Sequence, residues 1–205
     1  MERRAWSIPE VSDTAGPAAA LRNYLEQSDV RRCLAAAAAI GPLQRAADVG
    51  CGYGRLTPVL TEFAAEVAGF ERESHLAAEA ARLVPAAAVH RVESLLQLPA
   101  RTAAFDFAMT FTVLQHMGDS DARAVVEELK RIASPGSVLL VEETDPELAV
   151  GDPQRPDAGM TRGRPVETYA AWMRPFPLAL SFPRRVEPGY ERRDVGTYML
   201  FAGGR

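Results

Sequence analysis

The segment Ala47–Thr57, ADVGCGYGRLT, constrains this chain more than any other. A short apolar run ends at Val49, glycines alternate at 50, 52 and 54, and a helix-forming stretch begins near Leu56. Glycine tolerates a positive φ and admits a ligand where a Cβ would intrude. The helix beyond presents unpaired N–H groups. Three alternating glycines exceed what a tight strand-to-helix turn requires. The unit reads as strand, ligand cradle and helix, and it commits the chain to an α/β fold that binds ligands at the carboxyl ends of its strands.

The alternation continues downstream. RAADVG, EVAGFER, AVHRVES, FDFAMTF and SVLLVEE have the length and apolar content of strands. RLTPVLTEFA and SHLAAEAARLV read as helices between them, the second ending at Pro85, and DARAVVEELKRIA reads as a helix capped by Asp119 or Ser120. Short strands joined by helices imply parallel pairing through right-handed crossovers. Upstream, Leu21, Tyr24, Leu25, Val30 and Leu34 recur near helical spacing until Gly41-Pro42 stops the helix. Downstream, residues 144–165 are rich in Pro, Gly and charge, as expected of a functional loop or lid. PVETYAAWM reads as a helix with Pro165 in its first turn, and LALSF and VGTYMLFAG as two closing strands. The expected fold is α/β: a doubly wound, mostly parallel seven-stranded sheet with helices on both faces. One domain is expected over 1–205: covering helices in 1–40, a binding core in 41–143, a loop and helix over the substrate pocket in 144–175, and closing strands in 176–205.

Composition excludes several classes. The 205 residues are 47% hydrophobic and 24% charged, as in a globular protein. A net charge of −4 speaks against a protein whose main task is gripping nucleic acid. No apolar run is long and charge-free enough to span a bilayer, and Met1–Asp13 carries charges and a proline where a signal peptide needs an apolar core. A cytoplasmic location is expected. Cys33 and Cys51 form neither a disulfide framework nor a metal-ligand pattern; Cys51 reads as a small buried filler, and His75 and His90 as surface residues.

The loop itself discriminates between cofactors. A nicotinamide-binding loop reads G-x-G-x-x-G, with a third glycine for close helix packing. Here the pattern is G-x-G-x-G, and Arg55 stands in the place of that glycine. Asp48 adds a carboxylate at the strand end, which suits an ammonium or sulfonium better than phosphates.

DVGCGYGR resembles the first motif of the class I S-adenosylmethionine (SAM)-dependent methyltransferases, and the resemblance extends in order from about Gly41 to Glu143. Glu71, closing VAGFE, is similar to the acidic residue that bonds the ribose hydroxyls in that family. VESLLQLP resembles the third-strand motif, with Glu93 in place of the usual Asp facing the adenine amino group. FDFAMTFTVLQHM and ELKRIASPGSVLLVEE resemble the fourth-strand segment and the helix and strand after it, with Pro135-Gly136-Ser137 for the usual Pro-Gly-Gly. The resemblance implies SAM as cofactor, S-adenosylhomocysteine (SAH) as product and no metal. It implies a cofactor contact set of Asp48, Gly50, Cys51, Gly52, Gly54, Arg55, Glu71, Arg72, Glu93, Ser94, Leu95, Thr110, Phe111 and Thr112.

His116, in TVLQHM after the fourth strand, is the base candidate and an acceptor contact, since an ordinary imidazole titrates near ~6.5. Its alternative role is to orient that loop or cap the next helix. Tyr24, Tyr169, Trp172 and Met173 are candidates for the acceptor pocket, with core packing as the alternative. Arg155, Arg162 and Arg164 offer anion contacts or a solvated loop. TFTV stands where base- and glutamine-methylating enzymes carry Asn/Asp-Pro-Pro-Tyr, so the expected acceptor is a small molecule, methylated on O or N, in bacterial secondary metabolism. The expected state is a monomer or homodimer, without nucleic acid or membrane as partner. The rivals are an NAD(P)-dependent oxidoreductase, disfavoured by the loop, a non-catalytic SAM-binding partner protein, and a methyltransferase acting on a peptide.

Overall fold

The computed structural model describes residues 17–133, 135–147, 149–150, 161–185 and 196–203. Helix α1 (Pro17–Ile40) precedes β1 (Arg45–Val49), α2 (Thr57–Thr61), β2 (Glu66–Glu71), α3 (Ser74–Leu83) and β3 (Ala88–Arg91). Then come β4 (Phe107–Phe111), a 3-10 turn (Leu114–His116), α4 (Asp119–Ala133) and β5 (Ser137–Glu142). A two-residue ribbon, β6 (Ala149–Val150) with β7 (Thr161–Arg162), leads to α5 (Val166–Trp172), β8 (Leu178–Pro183) and β9 (Thr197–Ala202).

The main sheet has seven strands in the order β3-β2-β1-β4-β5-β9-β8. The first five are parallel, whereas β9 runs antiparallel to β5 and β8 antiparallel to β9. The chain winds outward from β1 in both directions, so the loops leaving β1 and β4 part company there and open a crevice at their carboxyl ends.

The inner strands β1, β2, β4, β5 and β9 are covered on both faces, whereas the edge strands β3 and β8 are largely exposed. Strict alternation divides the inner side chains. Ala47, Val49, Phe70, Ala108, Val138, Leu140, Met199 and Phe201 pack on one side with α4 and α5. Ala46, Val67, Phe107, Met109, Leu139, Val141, Tyr198 and Leu200 pack on the other with α1 and α2. Near-continuous apolar runs such as SVLLVE follow from this double coverage, since neither face meets water.

Three local expectations are corrected. The helix expected over residues 55–64 is one short turn and a half, Thr57–Thr61, because the glycine loop extends to Arg55 and Pro58 occupies its first turn. Pro165 is the N-cap of α5 rather than a first-turn residue, with an extended ψ of 148°. Asp119 opens α4 without capping it: the Gly118 carbonyl accepts the first helical bond, from Ala122, while the Asp119 carboxylate pairs with Arg162 and Arg164. Residues 1–16 and half of the 144–165 loop, residues 148 and 151–160 with Arg155 among them, lie outside the described residues. Among the described residues no helix is long and apolar enough to cross a membrane.

Candidate active site

The glycine loop leaves β1 with Gly50, Gly52 and Gly54 all at positive φ, 77°, 57° and 85°. The three are glycine for different reasons. A Cβ on Gly50 would stand 2.6 Å from Val113 Cγ2, and one on Gly54 would stand 3.2 Å from the Ala80 backbone. A Cβ on Gly52 would meet nothing within 4 Å. Gly50 and Gly54 are therefore fixed by packing, and Gly52 faces open space where a ligand can approach the backbone.

Two acidic residues adjoin the loop. Glu71, at the end of β2, accepts from the Gly52 amide at 2.9 Å and from the Glu73 amide at 2.8 Å. Asp48, on β1 and 3% exposed, accepts from the Thr57 hydroxyl at 2.7 Å. Burial pushes the Asp48 carboxyl up to about 7, the Thr57 bond opposes this, and the nearby Glu71 charge adds to it. A buried carboxylate held at that point is stabilised by an incoming cation. The chemistry of this donor set fits a SAM molecule: an open glycine backbone, a carboxylate at the next strand end and a buried acid that a cation would stabilise.

The other expected contact residues divide. Leu95 is buried beside Gly50, 3.5 Å from its Cβ position, and Cys51 is buried with its sulfur filling the space over Gly69. Burial raises the Cys51 thiol far above the ordinary range, which makes it a filler. Ser94 caps its own turn by accepting from the Leu96 amide. Thr110 is buried on β4, and Thr112, just beyond, has a φ of 54°. For a β-branched residue that conformation costs about 1–3 kcal/mol and persists only where the surroundings impose it.

Three of the expected contacts are paired with other side chains. The Glu93 side chain is 84% exposed and pairs with Arg91, because it is Val92 that turns into the core. The Arg72 guanidinium pairs with Glu73. Arg55 bonds Glu26 and Asn23 of α1 and lies over the Phe111 ring at 5.4 Å. Arg184 reaches the same Glu26 and stacks over Phe111 at 5.3 Å. Burial alone would push the Glu26 carboxyl up, but Arg184 and Arg55 outweigh it and hold the group below its ordinary range. Glu26 thus ties α1, the cradle and the segment after β8 together, a junction that sequence reading missed. Its helical neighbours Arg22, Asn23 and Asp29 are polar, so nothing local marked Glu26 as buried.

The acceptor candidates fare differently. Tyr169 and Met173 are 0% exposed and belong to the core between α4, α5 and the sheet, so the structure gives them to packing. Trp172 is partly buried against that core, edge-on to Tyr169 and within 5.6 Å of the Arg164 guanidinium. Tyr24, 67% exposed, projects from α1. His116 is exposed at the end of the 3-10 turn, in the loop whose Val113 abuts Gly50.

Arg164, grouped in the sequence with solvated loop residues, is 4% exposed. It donates to the Leu114 carbonyl at 2.9 Å, the Met117 carbonyl at 2.6 Å and Asp119 at 2.9 Å. Opposite it, Glu142 is fully buried and accepts from the Val113 and Gln115 amides at 3.2 and 3.0 Å. Burial pushes Glu142 up to about 7 against those bonds and the Arg164 charge. Arg162 pairs with Asp119 at the surface. Among the described residues no group of His, Cys, Asp and Glu is arranged to hold a metal ion.

Residues 47–141 match the family model of the methyltransferase domain. No protein of curated function matches the chain by sequence. Among solved structures, a SAM-dependent methyltransferase of Leishmania major aligns with a TM-score of 0.75 at 16% identity, over 96% of this chain and 76% of that one. A protein of Pyrococcus horikoshii OT3 aligns at 0.72 and 12% identity over 96% of both chains. The magnesium protoporphyrin IX methyltransferase of Synechocystis PCC 6803, solved with bound SAM, aligns at 0.66 and 17% identity over 89% of this chain and 80% of that one. At these identities the structural likeness speaks for the fold, and the matched core speaks for the chemistry.

Proposed function

We propose, for a chain that carries a class I SAM-dependent methyltransferase domain, that the acceptor is a small molecule methylated on oxygen or nitrogen, within bacterial secondary metabolism. The observation that carries the reading is Gly52: positive φ, open space at its Cβ and an amide bonded to Glu71 at the end of the next strand. The acidic balance of the chain, net −4, favours a small acceptor over nucleic acid. We take residues 1–205 as a single unit in which 41–143 hold the cofactor and 144–175 border the acceptor.

When bound, SAM supplies an activated methyl group on a sulfonium leaving group. The protein's share is alignment and exclusion of water, worth about 7–11 kcal/mol as effective molarity when geometry is well set. In this reading Glu71 and Gly52 orient the ribose end, and Asp48 receives the ammonium. The loop after β4 borders the point of transfer. His116 accepts the proton from an acceptor hydroxyl or ammonium; a carboxylate acceptor would need no base. The assigned cofactor set is narrowed from the sequence reading: Arg55, Arg72 and Glu93 are left out because their side chains are held by Glu26, Glu73 and Arg91.

The test is calorimetric titration with SAH beside NADH, followed by labelled SAM against candidate acceptors. Binding of SAH alone supports the reading; binding of NADH alone overturns it in favour of a nicotinamide enzyme. SAH binding without turnover on any acceptor would favour a non-catalytic partner protein.

A further inference from the structure

Thr112–Met117 leaves β4 and borders the cradle at Gly50. It is held by opposite charges on opposite sides. Glu142, at the end of β5, receives the amides of Val113 and Gln115. Arg164, entering α5, donates one guanidinium nitrogen each to the carbonyls of Leu114 and Met117 and a third to Asp119. Each charge meets the matching end of the turn's peptide dipoles, and hydrogen bonds to ionised groups are about twice as strong as neutral ones. Two further bonds complete the frame: the Thr112 amide to the Val141 carbonyl at 2.7 Å, and the Glu143 amide to the Gln115 side chain at 3.0 Å. Burying both charges is costly, and the loop's amides and carbonyls offset part of that cost. The same frame accounts for the positive φ at Thr112, which the loop would abandon without it.

We propose that Arg164 and Glu142 are positioning residues of the methyl-transfer site, clamping loop 112–117 so that Val113 stays against Gly50 and His116 stands at one place. The proposal rests on the cofactor reading above and adds a consequence to it. Arg164 ties the entry of α5 to the loop beside the cradle, so a displacement of Arg164 is transmitted to the cofactor site. Neither residue touches the reacting atoms; both act through the loop.

The experiment compares wild type, Arg164→Met and Glu142→Gln with Lys130→Met as a control. Lys130 also bonds two backbone carbonyls, those of Trp172 and Arg174, but at the far end of α5. SAH affinity is measured by calorimetry, stability by thermal melting, and the loop by amide hydrogen exchange. Arg164→Met is expected to weaken SAH at least tenfold and to speed exchange at residues 113–117. Lys130→Met is expected to lower the melting temperature while keeping SAH affinity within twofold. An Arg164→Met protein that binds SAH like wild type, or loses no more affinity than Lys130→Met, overturns the clamp. Should Arg164→Met fail to fold, Glu142→Gln is judged against the control by the same criteria. Failure of the wild type to bind SAH sinks the cofactor reading instead. The exchange at 113–117, which needs no ligand, then decides whether the clamp holds the loop.

Discussion

The Glu71 carboxylate accepts the Gly52 amide at 2.9 Å, and so joins the end of β2 to the one glycine of the cradle that faces open space. Its other oxygen takes the Glu73 amide, so a single side chain shapes the loop and starts the turn into α3. Glu71→Ala removes two bonds to a charged acceptor, each worth about 1.5–3 kcal/mol. A loss of SAH affinity of tenfold or more is expected, with a lower melting temperature. Unchanged affinity would leave Glu71 a structural residue only.

The glycines should separate by experiment. Gly50→Ala drives a methyl into Val113 at a positive φ, so a destabilisation of about 1–3 kcal/mol is expected, read as a drop in melting temperature. In Gly52→Arg the new Cβ meets no atom within 4 Å, so the cost to the fold is the strain of a side chain at a φ of 57°, about 1–2 kcal/mol. The variant should fold, melt below wild type and show no SAH binding by calorimetry. Retained affinity in that variant would remove the cradle assignment.

Asp48 and Glu142 give a dependence on pH with a definite sign. Both are buried acids raised to about 7 from 3.8 and 4.5. The native state therefore holds their protons more tightly than the unfolded chain. The stabilisation is fully present below the ordinary carboxylate range and is lost as pH rises to about 7. The ligand-free protein is expected to melt lower at pH 8 than at pH 5, and Asp48→Asn should flatten part of that slope. SAH affinity should run the other way, rising through pH 7 as Asp48 ionises to meet the ammonium. A flat affinity between pH 6 and 8 would show that Asp48 does not face the cation.

For His116→Ala the expectation is SAH affinity within twofold of wild type and turnover slowed by about 10²-fold or more with an acceptor that must lose a proton. With an anionic acceptor the rate should be unaffected. Full activity on a hydroxyl or amine would return His116 to a role in the loop.

Much of this was legible in the sequence because it is local. Strand–glycine–helix at 45–61, the two-residue alternation hidden inside runs such as SVLLVE, and the punctuation by Gly41-Pro42 and Pro85 each depend on a few neighbouring residues. They determined the order of the elements, the parallel core and the end of the sheet where ligands bind. The position of the cradle followed from the same local rules, whereas Glu71 was marked by its resemblance to the ribose-binding acid of the methyltransferases, and the structure sets it beside Gly52.

The tertiary structure decided where the charges go, because a side chain's partner is set by what packs against it from far away in the chain. Arg55 lies one residue beyond the cradle, yet Glu26, 29 residues earlier, holds it. Arg164 sits in a stretch that reads as solvated loop, yet it is buried against Leu114 and Met117. Glu93 is the acid expected in the adenine motif, yet its side chain turns outward to Arg91. Tyr169 and Met173 share a helical spacing equally suited to pocket or core, and only the docking of α5 on α4 and the sheet made them core. Periodicity reports that a face is apolar; what covers it is a fact of three dimensions.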